Sequence, residues 1–206
     1  MKILAISDMV VDRLYSTQVA ESFRDVEMIL GCGDLPYNYL EFLVTWMNIP
    51  LLYVPGNHDP AYDQEIKTAY AEGCDNLDRK VRSVKGVNIA GVGGSIQYRP
   101  GSPNQYTQSQ MYSRLLSFMP RLFWELPLHG KALDIMIAHS PPLGIHDDDD
   151  QAHVGFSAFN DLIRTIKPHY FLHGHTMVYK SNLVPPVTQV GTTTVINVYP
   201  YRVIEI

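Results

Sequence analysis

The chain has 206 residues, of which 46% are hydrophobic, enough to bury a sizeable core within one domain spanning 1–206. It carries 16 Lys and Arg against 21 Asp and Glu, a net charge of −5, with no cluster of basic residues, which argues against a nucleic-acid-binding face. Two cysteines, Cys32 and Cys74, make neither a disulfide framework nor a zinc motif, and the apolar start Met1–Ile6 is too short for a signal peptide or membrane span. A soluble cytoplasmic protein without membrane attachment is expected.

Lys2–Ile6 reads as a buried strand that runs straight into Ser7-Asp8. Asp12–Arg24 is weakly amphipathic and suggests a helix. Val26–Leu30 is a second strand, ending in Gly31-Cys32-Gly33-Asp34. Tyr39–Met47 has helical spacing. Leu51–Val54 is a third strand, followed by the turn Pro55-Gly56-Asn57-His58-Asp59. Tyr62–Tyr70 suggests a further helix. Val81–Val84 and Val87–Val92 flank Lys85-Gly86 as two short strands, the second broken by Gly93-Gly94. Gln97–Gln108 reads as a surface loop, and Ser109–Leu126 as a helix interrupted at Pro120. Leu133–Ala138 is a strand leading to His139. His146–Asp150 reads as a solvated acidic loop, and Phe156–Ile166 as an amphipathic helix. His169–Leu172 leads as a strand into His173-Gly174-His175. Thr193–Val198 and Arg202–Ile206 are the last strands.

Asp8, Asp34, Asn57, His58, His139 and His175 each stand just beyond an apolar strand. In open α/β sheets the carboxyl ends of strands are where ligands bind, so residues far apart in sequence converge there. Carboxylate, amide oxygen and imidazole together suit a divalent ion such as Mn, Fe or Zn. Such an ion polarises a phosphoryl oxygen and acidifies bound water, the two effects phosphoester hydrolysis needs.

The ordered set Gly33-Asp34, Gly56-Asn57-His58-Asp59, His139 and Gly174-His175 resembles the calcineurin-like metallophosphoesterase family. The resemblance runs from Asp8 to His175. It implies a four-layer α/β/β/α sandwich and a phosphatase or phosphodiesterase acting on a small phosphorylated substrate. It further implies that Asp8 belongs to a first metal site and that Asp34 bridges two metals. Asn57, His139 and His175 would complete the second site. His58 would contact the phosphate and assist the leaving group, and Asp59 would orient His58. Two positions depart from the pattern. Val10 and Met177 stand where the family has histidines, and both histidines would serve the first metal. One tightly bound ion is therefore expected, in a one-metal or altered site. Asp12, His173 and the Asp147–Asp150 loop are candidate substitute ligands, and the resemblance implies that His153, in His153-Val154-Gly155, reaches the site. The matched losses keep a second reading open, a non-catalytic sensor of a phosphorylated ligand or metal.

Overall fold

The computed structural model describes residues 1–59, 70–128, 133–177 and 186–206. In chain order the strands are β1 (Lys2–Ile6), β2 (Val26–Gly31), β3 (Leu51–Tyr53), β4 (Asp75–Asn76), β5 (Lys80–Val84), β6 (Val87–Val92), β7 (Ser95–Ile96), β8 (Gln105–Tyr106), β9 (Ile135–Ala138), β10 (Tyr170–His173), β11 (Val187–Val190), β12 (Thr193–Asn197) and β13 (Tyr201–Glu205). The helices are α1 (Val19–Ser22), α2 (Tyr37–Met47), α3 (Gln108–Leu128) and α4 (Ser157–Ile166).

Two sheets carry the fold, ordered β13-β1-β2-β3-β4 and β11-β12-β10-β9-β6-β5. Strands β1, β2, β3 and β4 of the first sheet run parallel, β4 at its edge, as do β12, β10, β9 and β6 of the second. The antiparallel strands β13, β11 and β5 lie at the edges.

The layering follows from the period of two in a strand, which sends successive side chains to opposite faces. In β1, Ile3 and Ala5 enter the core between the sheets, while Leu4 and Ile6 face the helices α1 and α2. Leu30 and Leu52 repeat the inward choice, Ile29 and Leu51 the outward one. In the second sheet Ile135, Ile137 and Leu172 meet the first sheet, while Met136, Ala138 and Phe171 face α3 and α4. Both faces of the central strands are thus buried, which is why these strands are mostly apolar on both sides. The result is the α/β/β/α sandwich that the sequence suggests.

Three expectations are corrected in detail. The helix read over Asp12–Arg24 is a single turn, Val19–Ser22. Ser16 Oγ accepts a bond from the Gln18 N–H, a local alternative to helical bonding. In contrast, α3 runs unbroken through Pro120. Pro in a helix interior costs about 3 kcal/mol. Four buried side chains, Met111, Leu115, Phe118 and Leu122, span it at helical spacing, each worth about 1.5–3 kcal/mol and together outweighing the proline. Within the expected surface loop, Gln105–Tyr106 pairs with Ser95–Ile96 as the ribbon β7-β8. The helix expected over Tyr62–Tyr70 lies outside the described residues except for its last position.

Candidate metal centre

The parallel strands of each sheet end at a common edge, and the chemistry sits there. One ligand atom from each of Asp8, Asp34, His139 and His175 lies within 4.8 Å of the others. Asp8 and Asp34 follow β1 and β2, while His139 and His175 follow β9 and β10. The first sheet therefore supplies the carboxylates and the second the imidazoles.

Three of these four residues adopt the left-handed backbone conformation, with φ of 62° at Asp8, 54° at Asp34 and 68° at His175. Such a conformation costs on the order of 1–3 kcal/mol where the surroundings enforce it, and it clusters at functional sites. Close packing of the strand ends enforces it here. A Cβ on Gly33, itself at φ 87°, would lie 2.5 Å from His139 Nδ1. A Cβ on Gly174 would overlap Ser7 Oγ and the Asp8 carboxylate. Glycine at both positions lets the ligand loops of the two sheets touch.

Each ligand is held by a second contact. His139 Nδ1–H donates to the Cys32 carbonyl at 2.8 Å, across to the first sheet. Its Nε2 then faces Asn57 Oδ1 at 3.0 Å and Asp34 Oδ2 at 3.4 Å. The Asn57 amide is oriented by its other end, where Nδ2 donates to the Tyr98 hydroxyl at 3.2 Å. His175 Nε2–H donates to the Ala152 carbonyl at 2.7 Å, which leaves Nδ1 with a free lone pair. The His175 backbone N–H donates to Asp8 Oδ2 at 2.9 Å, and the Ser7 hydroxyl also donates to that oxygen.

The electrostatics show what the donors want. Burial works against a charge on His139, yet the charge and hydrogen bonding of Asp34, with Asp8 and the Cys32 carbonyl, raise it to about 10. Burial also opposes ionisation of Asp34, but His139 and the His58 N–H hold its carboxyl well below the usual range. Burial raises Asp8, against the pull of His139 and Ser7. Burial lowers His175 to about 3, helped by the charge on His139. One positive charge amid two carboxylates, an amide oxygen and a second imidazole nitrogen binds the group together. A divalent cation among the same atoms would meet oxygen and nitrogen donors only, the mix that suits Mn, Fe or Zn.

His58 and Asp59 part company. The His58 N–H donates to Asp34 Oδ1 at 2.8 Å, while its ring stands at the solvent edge, 72% exposed, with Nε2 4.0 Å from Asp34 Oδ2. The buried Asp59 carboxylate accepts from the backbone N–H groups of Gly56 at 2.7 Å, Asp34 at 2.9 Å and Leu35 at 3.1 Å. The expected contact from Asp59 to the His58 ring is therefore replaced by a clamp that ties the Asp34 loop to the Asn57 turn. Strong backbone donors outcompete an exposed imidazole for a buried carboxylate. Burial raises Asp59 to about 6, against the pull of the Gly56 N–H.

The positions that depart from the family pattern face elsewhere. Val10 packs against the core between the first sheet and its helices, and Met177 is 45% exposed. The candidate substitute ligands also stay out of the cluster. Asp12 is exposed. His173 is turned away into the fold: its Nδ1–H donates to the Gly174 carbonyl at 3.0 Å, and its Nε2 accepts from His146 Nδ1–H at 2.9 Å. The acidic loop closes on itself. Asp147 accepts from the Gly155 N–H, and Asp150 accepts from the Ala152 N–H and from His153 Nδ1–H at 2.7 Å. The His153 ring reaches the rim, 5.0 Å from that of His175. Sequence reasoning missed the carbonyls of Cys32 and Ala152, because a backbone oxygen leaves no trace in residue type. Tyr98 left a faint signal as an aromatic in a polar loop.

A family model for the calcineurin-like phosphoesterases matches residues 1–179. An uncharacterised protein of Methanocaldococcus jannaschii, MJ1162, is 26% identical over 212 residues, covering 97% of this chain and 88% of the relative. The crystal structure of TT1561 of Thermus thermophilus shares the fold, with a TM-score of 0.62 and 19% identity over 96% of this chain and 88% of that one. Among the described residues no helix is long and apolar enough to cross a membrane. With its strand-end donors, its four layers and a family match over most of its length, the chain belongs to the calcineurin-like phosphoesterase family.

Proposed function

We propose that the chain hydrolyses a small phosphoester, mono- or diester, with one divalent transition metal ion held by Asp8, Asp34, Asn57, His139 and His175. The observation that carries this reading is the one compact set of four donors found among the described residues, with the Asn57 oxygen beside it, at the edge where the two sheets meet. A bound Mn, Fe or Zn ion would act there as a Lewis acid on a phosphoryl oxygen and lower the pKa of water. The side chains of Val10 and Met177 offer a second ion nothing, which supports a mononuclear site.

The protein groups divide the remaining work. Asp34, below the usual carboxylate range, remains a charged acceptor at neutral pH. His139 keeps its Nε2 aimed inward because Nδ1–H is spent on the Cys32 carbonyl. His58 stands above Asp34 with its ring exposed, where Nε2 can meet a phosphoryl oxygen or give a proton to the departing oxygen. Asp59 keeps the two loops in register so that Asp34 and Asn57 face the same point.

The exposure of the His58 ring, which Asp59 does not orient and which stands 4.0 Å from Asp34 Oδ2, favours one competing reading: a sensor that binds a phosphorylated ligand without turning it over. Assays of a generic phosphomonoester and phosphodiester with added Mn, Fe or Zn separate the two. Turnover that EDTA abolishes and metal restores supports the hydrolase. Tight phosphate binding with no turnover under any metal supports the sensor.

A further inference from the structure

The segment Gln97–Asn104 crosses beside the metal centre and is fastened to it at several points. The Tyr98 hydroxyl accepts from Asn57 Nδ2 at 3.2 Å, and Asn104 Nδ2 donates to the Asp59 carbonyl at 3.3 Å. Gln105, only 6% exposed, uses its Oε1 to accept from the N–H groups of Tyr98 at 3.3 Å and Arg99 at 3.0 Å. A buried side chain thus fixes the turn that presents both residues. The Arg99 guanidinium lies over the Tyr98 ring, 5.6 Å from its centroid, and no acidic group pairs with it among the described residues. A second arginine on this side, Arg114, is instead committed to both oxygens of Asp78.

This placement has an electrostatic reason. Two carboxylates, Asp8 and Asp34, balance the charge of one divalent ion, so the centre offers an anionic ester little net attraction. On the His175 side the site borders the loop that carries Asp147–Asp150, through the Ala152 carbonyl and the His153 ring, and that loop adds negative charge there. An anionic substrate is therefore drawn toward the side of the Arg99 guanidinium, which has no acidic partner among the described residues. A guanidinium offers paired N–H donors that match a phosphate or carboxylate.

Resting on the phosphoester reading above, we propose that Tyr98 and Arg99 form a subsite for a second anionic group on the substrate, a phosphate or a carboxylate. The scissile phosphoryl group lies at the metal centre. The rest of the substrate runs along Tyr98, away from the acidic rim, and its second anion bonds to Arg99.

The test is calorimetric, on the intact chain supplied with Mn. Fructose 1,6-bisphosphate and fructose 6-phosphate are titrated into the parent protein, Arg99→Ala and Arg99→Lys, with phosphoserine as a carboxylate-bearing probe. The parent should bind the bisphosphate at least roughly tenfold tighter than the monophosphate, the scale of a charge-assisted bond. Arg99→Ala should erase that difference and Arg99→Lys should keep part of it. Arg99 is exposed, so folding is not at stake. Preference for phosphoserine over both sugar phosphates would assign the subsite to carboxylates. No discrimination by the parent, no binding of any probe, or discrimination that survives in Arg99→Ala would overturn the proposal. Discrimination lost in Arg99→Ala, together with no turnover of a generic phosphomonoester or phosphodiester under Mn, Fe or Zn, would overturn the phosphoesterase reading and leave the subsite standing.

Discussion

The two sheets build one site by different means. The first sheet contributes oxygen, from Asp8, Asp34 and Asn57, and braces its loops with carboxylates that accept backbone N–H bonds. The second contributes nitrogen, from His139 and His175, and orients each ring with a carbonyl, Cys32 or Ala152. One of those carbonyls, Cys32, belongs to the opposite sheet, so the imidazole half is set partly by the carboxylate half. The difference teaches that charge and rigidity reside in the first sheet, and ring direction in the second. Variants in the first should cost more than variants in the second.

The largest effect is expected at Asp34, which faces His139 and accepts the His58 N–H. Asp34→Ala should weaken metal binding by more than the roughly 10–100-fold typical of a lost outer partner, measured by metal titration. Retention of near-parent affinity would move the ion elsewhere. Next comes His58→Ala, which should lower turnover by about two to four orders of magnitude while metal content stays unchanged. Loss of the metal would make His58 a ligand. Third is Asp59→Ala, which releases three backbone N–H groups at once. Metal affinity should fall by roughly 10–100-fold, and the pH profile of turnover should change little if Asp59 acts only as a clamp. A profile that loses its acidic limb would return Asp59 to the chemistry.

The smallest expected effect lies behind the second sheet. There the His146–His173 pair continues to the Thr188 hydroxyl, which donates to His146 Nε2 at 2.8 Å. Burial lowers His146 to about 4 and His173 to about 3. Both are therefore neutral when folded, while the unfolded chain takes up protons near 6.5. The pair exacts no stability cost above pH 6.5, and stability is lost as pH falls from there toward 4. Thermal melts of the metal-free chain should show a falling midpoint over that window, flatter in His146→Gln. Equal slopes in parent and variant would remove the pair from the acid response.

Much of this was legible in the residues. An apolar run followed within a few residues by Asp, Asn or His marked every strand end that the structure brings to the centre, and the alternation of Ile3, Leu4, Ala5 and Ile6 carries the two-faced burial. What residue types could not show depends on contacts between distant backbones. Asp59 turned out to serve three N–H groups because the β2 and β3 loops meet, and no local pattern encodes that meeting. In the sequence His173 is a candidate substitute ligand, since a strand period of two would put it on the face of His175. The chain leaves β10 after His173, however, and His175 turns to φ 68°, so His173 keeps the other direction, toward His146. The unbroken α3 reverses local propensity because the packing of its buried face outweighs Pro120.

The central claim is one catalytic ion in a site assembled from both sheets. Its most direct test is metal content per chain, measured by elemental analysis on purified parent protein and on Asp34→Ala after equilibration with Mn, Fe or Zn and removal of loosely bound ions. The account predicts close to one ion per chain in the parent and almost none in Asp34→Ala. Two equally tight ions in the parent, or one ion that Asp34→Ala retains, would contradict it.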